Sequence, residues 1–276
     1  MKIAVHQMCS GIDSSRNASA MAAAIADAAA NKAAFYFAPE MSVLLDRDRT
    51  RAKQNIMLEA DNPAIQIICK AAAEAGIWVH IGSLPVVFEQ DQTRFANRTL
   101  IIDSKGIIRA RYDKMHLFDV NLASGENWRE SSVYAPGDHP TVVDTPFGLM
   151  GLTICYDMRF TDLYSALAKA GSQFLAIPAA FTVPTGKAHW HTLLRARAIE
   201  AQAFVIAAAQ SGDHEDGRKT YGHSLVVDPW GEVLLDLGEG EALGFVELNL
   251  ARIAEVRGQI PVQANRRDIT GKVKRY

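Results

Sequence analysis

The sequence has few cysteines, no long apolar run and no excess of either charge. Its 276 residues include three cysteines, Cys9, Cys69 and Cys155, which are odd in number and widely spaced. A disulfide-stabilised secreted scaffold is therefore not expected, and a reducing compartment is the default. No stretch approaches the roughly 20 apolar residues that cross a bilayer, and the opening MKIAVHQMCSG lacks the apolar core of a signal peptide. We therefore expect a cytoplasmic protein without a membrane partner.

The charges are nearly balanced, with 29 Lys plus Arg against 31 Asp plus Glu. A nucleic-acid-binding protein needs a large basic patch, so this balance argues against that class. There is also no GxGxxG or Walker-type loop, so a nucleotide cofactor is not expected. A small anionic substrate needs only one or two local cations and remains compatible with the composition.

Strand and helix patterns alternate along the chain, and the scheme starts again in the second half. The first half predicts strands at 2–7, 34–40 and 77–84, helices at 17–30 and 63–75, and a hairpin at 99–112. The second half predicts strands at 149–155, 172–180 and 204–210, helices at 161–171 and 188–202, and a hairpin at 223–237. Gly76 is predicted to end its helix, and Thr161 to be an N-cap. The class is α/β in one domain, 1–276, with a C-terminal tail from about 262, and with either one mixed sheet or two stacked sheets.

Three residues at predicted strand ends have side chains suited to chemistry. Cys155 ends an apolar strand in LTICYDMRF, where the following backbone N–H groups can form an oxyanion hole and a helix N-terminus lowers the pKa of a thiol. Glu40 ends FAPE, and Lys114 lies among apolar residues in DKMHLF. Taken singly, each also fits a structural role; a buried cysteine, for example, is often only a small apolar residue.

Taken in order, three segments resemble the nitrilase, or carbon–nitrogen hydrolase, superfamily. They are APE (38–40), YDKMHLF (112–118) and LTICYDMRF (152–160). Flanking segments extend the resemblance along nearly the whole chain, namely RESSVYAPGD (129–138), GKAHWHTLLRARAIEAQAFVIAAAQ (186–210) and YGHSLVVDPWGEVL (221–234). Within the superfamily, CYDMRF, AFTVPTGKAHW (180–190) and the segment 210–224 are most similar to small-acid amidases of the omega-amidase and deaminated glutathione amidase type.

The resemblance implies hydrolysis of a terminal carboxamide through a cysteine thioester. It implies that Cys155 is the nucleophile, Glu40 the general base, and Lys114 an oxyanion donor together with the backbone N–H of Tyr156. Glu130 matches the second glutamate of the family and is expected to orient Lys114 or the substrate amide. The resemblance further implies a four-layer αββα sandwich, a homodimer, and no metal or organic cofactor.

The acid part of the substrate is predicted from three further residues. Arg159 follows Cys155 by four residues, and its guanidinium suits a carboxylate. Phe181 and Thr185 match positions that line the acid end of the pocket in the resembling amidases. These residues predict an ω-amide of a short acid, either a 2-oxo-dicarboxylic acid monoamide or deaminated glutathione.

Other hypotheses remain open. A Cys–His hydrolase would use His116 or His223 as the base and would not need Glu40 or Lys114. Another activity of the superfamily, on N-carbamoyl amino acids or aliphatic amides, and a non-catalytic dimeric binding protein are the further alternatives. A metal site at HWH (189–191) is not expected, because side chains at spacing i, i+2 on a helix point to different faces.

Overall fold

The computed structural model of the protein describes residues 1–121, 125, 127–267, 271 and 274–275. Its strands are β1 (Lys2–Gln7), β2 (Phe35–Phe37), β3 (Trp78–Val87), β4 (Phe95–Ile102), β5 (Ile108–Asp113), β6 (Asp119–Asn121), β7 (Asn127–Arg129), β8 (Thr141–Thr145), β9 (Gly148–Leu152), β10 (Phe174–Ala176), β11 (Phe204–Ala207), β12 (Ser211–Asp213), β13 (Lys219–Tyr221), β14 (Leu225–Val227), β15 (Val233–Asp236) and β16 (Ala242–Glu247). Its α-helices are α1 (Ser14–Ala30), α2 (Arg49–Asn55), α3 (Pro63–Ala75), α4 (Thr161–Lys169), α5 (Val183–Ala201), α6 (Ala251–Gln259) and α7 (Val262–Asn265).

The two halves of the chain form two sheets built on the same plan. The first sheet has the order β16-β1-β2-β3-β4-β5, and the second has the order β15-β14-β11-β10-β9-β8. In each sheet three neighbouring strands are parallel, β1–β2–β3 and β9–β10–β11. Every other strand of the two sheets pairs antiparallel with its neighbour. This repeated plan explains why the sequence pattern restarts after the first hairpin.

The sheets lie face to face between two helix layers. Along β1, Ile3 and Val5 belong to the core shared with the second sheet, whereas Ala4 packs with residues of α1 and α3. This alternation follows from the period of two along a strand. Helices α4 and α5 cover the other sheet through buried residues such as Leu163 and Trp190. The predicted αββα sandwich is confirmed. Periodicity had left open one mixed sheet or two stacked sheets, and the structure has two stacked sheets.

Two helix ends predicted from the sequence can be compared with the structure. Gly76 adopts φ +67° and ends α3, as predicted. The prediction that Thr161 is an N-cap is wrong, because Thr161 is the first residue of α4 and Phe160 occupies the cap position without a side-chain hydrogen bond. A non-polar residue takes that position because the chain enters α4 directly from the 3₁₀ turn Cys155–Arg159.

Helix α5 begins at Val183, five residues before the predicted start. Pro184 is tolerated in the first turn, where its missing N–H has no intrahelical partner to lose. Gly186 is required by packing, because a Cβ there would lie 2.2 Å from the Tyr221 ring. Both residues favour a loop by propensity alone, which is why the pattern placed the helix start too late.

Four strands end earlier than the apolar runs predict, at Phe37, Leu152, Ala176 and Ala207. The residues that follow them leave the ladders at the carboxyl edge of each parallel set. Strand β5 runs in the same direction as β3, because β4 is antiparallel to both, so its end lies at the same edge. The loops after β2, β5 and β9 therefore meet between the two sheets.

The predicted tail from about 262 to 276 falls partly outside the described residues. Its first four residues form α7. The division of the chain into one domain and a tail stays a prediction. Over the residues that the structure describes, no helix has both the length and the apolar character needed to cross a membrane.

Candidate active site

The three residues singled out by the sequence converge in one buried cluster. Lys114 Nζ donates to Glu40 Oε1 at 2.9 Å and to Glu130 Oε2 at 2.9 Å. The thiol of Cys155 lies against the Glu40 carboxylate, and each group shifts the pKa of the other. Glu40, Lys114 and Cys155 are each less than 8% exposed, at 5%, 2% and 7%. The cluster thus places a thiol, two carboxylates and one ammonium together, away from bulk water.

The backbone at Cys155 has the geometry of a sharp strand-to-turn elbow. Cys155 adopts φ +49°, a left-handed conformation that costs a non-glycine residue energy and is found preferentially at functional sites. Its N–H donates to the carbonyl of Pro178 at 2.8 Å. The N–H of Tyr156 donates to no acceptor within the described residues, so it is available to an oxyanion beside the thiol.

Burial and neighbouring charge set the protonation states of the cluster. Burial, and after it the charge of Glu40, raises the pKa of the Cys155 thiol well above its usual value. The expectation that a helix N-terminus lowers this pKa is wrong, because only a short 3₁₀ turn follows and burial outweighs it. Burial opposes ionisation of Glu40, but the charge and hydrogen bond of Lys114 bring its pKa below the ordinary value. The resting site therefore holds a thiol beside an ionised carboxylate.

Lys114 stays charged although its side chain is buried. Burial disfavours the ammonium, but the charges of Glu130 and Glu40 raise the pKa of Lys114 well above its usual range. Glu130 also accepts from the backbone N–H of Phe118 at 2.6 Å, which fixes the carboxylate against the loop after Lys114. The ammonium is thus held in place from two sides.

Asn97 on β4 belongs to the cluster, although sequence reasoning missed it. Its Nδ2 donates to Glu40 Oε1 at 3.0 Å and to Glu130 Oε1 at 3.3 Å. Its backbone carbonyl accepts from the N–H of Lys114 at 2.9 Å. The signal was present, because FANRTLII places an amide inside a buried strand, where a polar side chain needs a partner.

Asp157, two residues after Cys155, ties the elbow to the loop that follows Lys114. Its buried carboxylate accepts from Tyr112 Oη at 2.7 Å, from the Ile154 N–H at 2.9 Å and from the His116 N–H at 3.0 Å. The His116 ring lies 2.7 Å from the same carboxylate. These contacts fix the position of the elbow relative to the end of β5.

The geometry favours Glu40 over histidine as the base. The imidazole of His116 contacts Asp157 and stacks on Phe160 at 3.6 Å between ring centroids. The imidazole of His223 contacts Asp236. Within the described residues neither ring hydrogen-bonds Cys155, whereas the Glu40 carboxylate is close enough to raise the pKa of the thiol.

A cavity of about 920 Å³ opens above the cluster. Of the predicted site residues, those that line it are Glu40, Lys114, Glu130, Cys155, Tyr156, Phe181 and Thr185. Arg159 is not among the lining residues. Its guanidinium lies over the ring of Phe181 at 5.4 Å, and its Nη2 is 3.3 Å from His189 Nδ1.

The cavity wall carries several cationic side chains that the sequence analysis did not predict. The lining residues of this kind are Arg47, Arg49, Lys53, Arg129, Arg218 and Lys219. Among the described residues, the side chains of Arg47, Arg49 and Lys53 form no ion pair, whereas Arg218 and Lys219 pair with Asp216 and Asp213. The charge-rich stretch DRDRTRAK (46–53) was the available signal.

The chain is similar to known proteins along most of its length. The chain is 40% identical over 216 residues to a deaminated glutathione amidase of Yersinia enterocolitica, covering 78% of this chain and 76% of that protein. It superposes with a TM-score of 0.89 and 39% identity on the Caenorhabditis elegans nitrilase and fragile histidine triad fusion protein, over 96% of this chain and 65% of that longer one. A Saccharomyces cerevisiae member of branch 10 of the nitrilase superfamily gives a TM-score of 0.87 at 28% identity, over 97% of both chains. The family model described as carbon-nitrogen hydrolase matches residues 2–258, and the chain belongs to that family.

Proposed function

We propose that the protein is an amidase that converts the terminal carboxamide of a small carboxylic acid to the acid and ammonia. The observation that carries the proposal is the buried cluster of Glu40, Lys114 and Cys155 at the base of an open cavity. An ionised carboxylate beside a thiol is a base beside a latent nucleophile. A cluster with only a structural role would not need to line a cavity of this size.

In the proposed first half-reaction, Cys155 Sγ attacks the amide carbon while Glu40 takes the thiol proton. Lys114 and the N–H of Tyr156 face the developing oxyanion, a role worth about 3–4 kcal/mol per donor in comparable sites. The C–N bond then breaks as Glu40 returns its proton to the leaving nitrogen, which departs as ammonia. The product on the enzyme is a thioester at Cys155.

In the second half-reaction, water attacks the thioester carbon and Glu40 takes a proton from it. The C–S bond breaks, the sulfur is reprotonated, and the carboxylic acid leaves. Glu130 supports both halves by holding the Lys114 ammonium together with Glu40, at 2.9 Å. No metal or organic cofactor enters this scheme.

The cavity wall supports an anionic substrate. Among the described residues, the side chains of Arg47, Arg49 and Lys53 form no ion pair, and the neighbouring Asp46 pairs with Arg51. A cavity of about 920 Å³ lies at the upper end of the range of roughly 300–1,000 Å³ for small-molecule sites, which favours the larger of the two predicted substrates. We therefore propose deaminated glutathione, the substrate class in the names of the relatives, ahead of a 2-oxo-dicarboxylic acid monoamide.

A panel of matched acid and methyl-ester amides tests this substrate class. We expect the wild-type enzyme to prefer the acid by about tenfold or more, since a hydrogen bond to a charged group is worth about 1.5–3 kcal/mol. The preference should fall in Arg47→Ala. Arg159→Ala is the parallel variant, because Arg159 is the carboxylate partner expected from sequence.

Equal kcat/KM for acid and ester in the wild type would contradict the anionic substrate and favour neutral aliphatic amides. A loss of preference in Arg159→Ala alone would assign the carboxylate to Arg159. Absence of any amide turnover would favour the binding-protein alternative.

We further propose that the enzyme is a cytoplasmic homodimer. A reducing compartment keeps Cys155 a thiol, as the mechanism requires. Large apolar side chains are exposed on α5 and the β14–β15 hairpin, among them Ile199, Trp230, Val233 and Leu234. Such a patch marks a surface for association.

A further inference from the structure

Two histidines and one aspartate form a cluster that the hydrolase chemistry does not use. His191 Nε2 lies 2.9 Å from Asp236 Oδ2, and His223 Nδ1 lies 3.0 Å from Asp236 Oδ1. One ligand atom from each of the three lies within 4.8 Å of the others. The residues come from α5, from the loop before β14 and from the end of β15, so the cluster joins three elements.

The sequence analysis missed this cluster because it considered His189 together with His191. His189 and His191 do point to different faces of α5, as the spacing predicts. His189 meets Arg159, whereas His191 meets residues that follow it by 32 and 45 positions. The partners of His191 were therefore not recognisable by local spacing.

His223 has an unfavourable backbone conformation that its hydrogen bonds and ring contacts stabilise. His223 adopts φ +55°, which is unusual for a residue with a side chain. Its carbonyl accepts from Trp190 Nε1 at 2.7 Å, and its N–H donates to the carbonyl of Gly238 at 2.7 Å. Its ring stacks on Tyr221 with 4.5 Å between centroids. The imidazole is thus oriented before any ligand arrives, which lowers the cost of binding one.

We propose that His191, His223 and Asp236 bind one divalent transition-metal ion, preferably Zn²⁺. Two imidazole nitrogens and a carboxylate oxygen form a ligand set that zinc accepts, with solvent as the fourth ligand. Around a tetrahedral ion with bonds of about 2.0–2.1 Å, ligand atoms lie roughly 3.3 Å apart. Asp236 Oδ2 lies 2.9 Å from His191 Nε2 and 3.3 Å from His223 Nδ1, and the ligand atoms of the three residues all lie within 4.8 Å of one another. The ion would cross-link α5 to the β14–β15 hairpin and stabilise the fold.

The test is titration of the purified protein with Co²⁺ and Zn²⁺ at neutral pH. We expect one Co²⁺ per chain with the visible bands of a tetrahedral N/O site, displacement by Zn²⁺, and a higher melting temperature with Zn²⁺ than with EDTA. His191→Ala and Asp236→Asn should each weaken binding by at least roughly tenfold, the loss that even an outer-shell partner causes. His189→Ala, on the same helix, is the matched control and should bind as the wild type does.

Three results would overturn the proposal. The first is no saturable binding, which would leave the cluster as hydrogen-bonded imidazole–carboxylate pairs. The second is unchanged affinity in His191→Ala and Asp236→Asn. The third is a thiolate-to-metal charge-transfer band, which would assign the ion to a cysteine instead.

Discussion

One amide nitrogen, Asn97 Nδ2, contacts both glutamates of the site. A donor to a carboxylate favours its ionised form, so its removal should raise the pKa of Glu40. We predict that Asn97→Leu, of similar volume, shifts the acidic limb of the kcat/KM profile to higher pH. We also expect kcat to fall roughly tenfold or more with little change in KM, because the amide faces the base and not the cavity.

Asn127→Leu is the control for this prediction, because Asn127 lines the same cavity without contacting either glutamate. A thermal melt of each variant separates loss of activity from loss of folding. An acidic limb that stays at the same pH in Asn97→Leu would show that the amide does not stabilise the Glu40 carboxylate.

At the scale of single residues, the sequence was most informative where a side chain ends a strand. Glu40 and Cys155 were recognisable because each ends an apolar run, and Lys114 because it lies among apolar residues. Asn97 was missed because the groups that it contacts are far away in the chain. Only the fold brings Asn97 within 3.0 Å of Glu40.

At the scale of elements, strand β3 carries a buried histidine that couples folding to pH. His80 is 1% exposed, and burial lowers its pKa from 6.5 to about 3. Because its pKa is lower in the folded state, the unfolded chain binds the proton more readily below pH 6.5. Stability from this residue is therefore complete above pH 6.5 and is lost as pH falls toward about 3. The slope approaches about 1.4 kcal/mol per pH unit within that window.

We predict that His80→Leu makes the free energy of unfolding less dependent on pH between pH 6.5 and about 3. The slope should fall by up to about 1.4 kcal/mol per pH unit. Urea denaturation at several pH values between 6.5 and 4 measures it. His139→Leu is the control, because the side chain of His139 is 74% exposed. Parallel pH dependences in His80→Leu and the wild type would show that His80 is protonated without unfolding.

Element types and order followed from periodicity, whereas element ends depended on tertiary contacts. Helix α3 ended at Gly76 because a left-handed cap is a local property. Helix α5 began early because the Tyr221 ring packs against Gly186, a contact with a distant strand. The strands stopped short because the backbone beyond Phe37, Leu152, Ala176 and Ala207 leaves regular strand geometry at the edge where the site lies.

At the scale of the whole molecule, the exposed apolar patch on α5 and the β14–β15 hairpin predicts self-association. We expect sedimentation at micromolar concentration to give about twice the chain mass of 30.2 kDa. Ile199→Glu should shift the species toward the monomer, because it places a charge within the patch. Ile107→Glu is the matched control, since Ile107 is similarly exposed, at 49% against 47%, on the turn between β4 and β5. A wild-type monomer would contradict the proposed dimer.

The central claim is that Cys155 forms a thioester with the acyl part of the amide while Glu40 moves the protons. Mass spectrometry of an acid-quenched reaction tests it directly, because a thioester survives the quench and can be located by peptide. We predict an acyl adduct on the peptide containing Cys155, none on Cys9 or Cys69, and no adduct in Glu40→Gln or Cys155→Ala under the same conditions. Turnover without any adduct during a single-turnover experiment, or an adduct on another cysteine, would contradict the account.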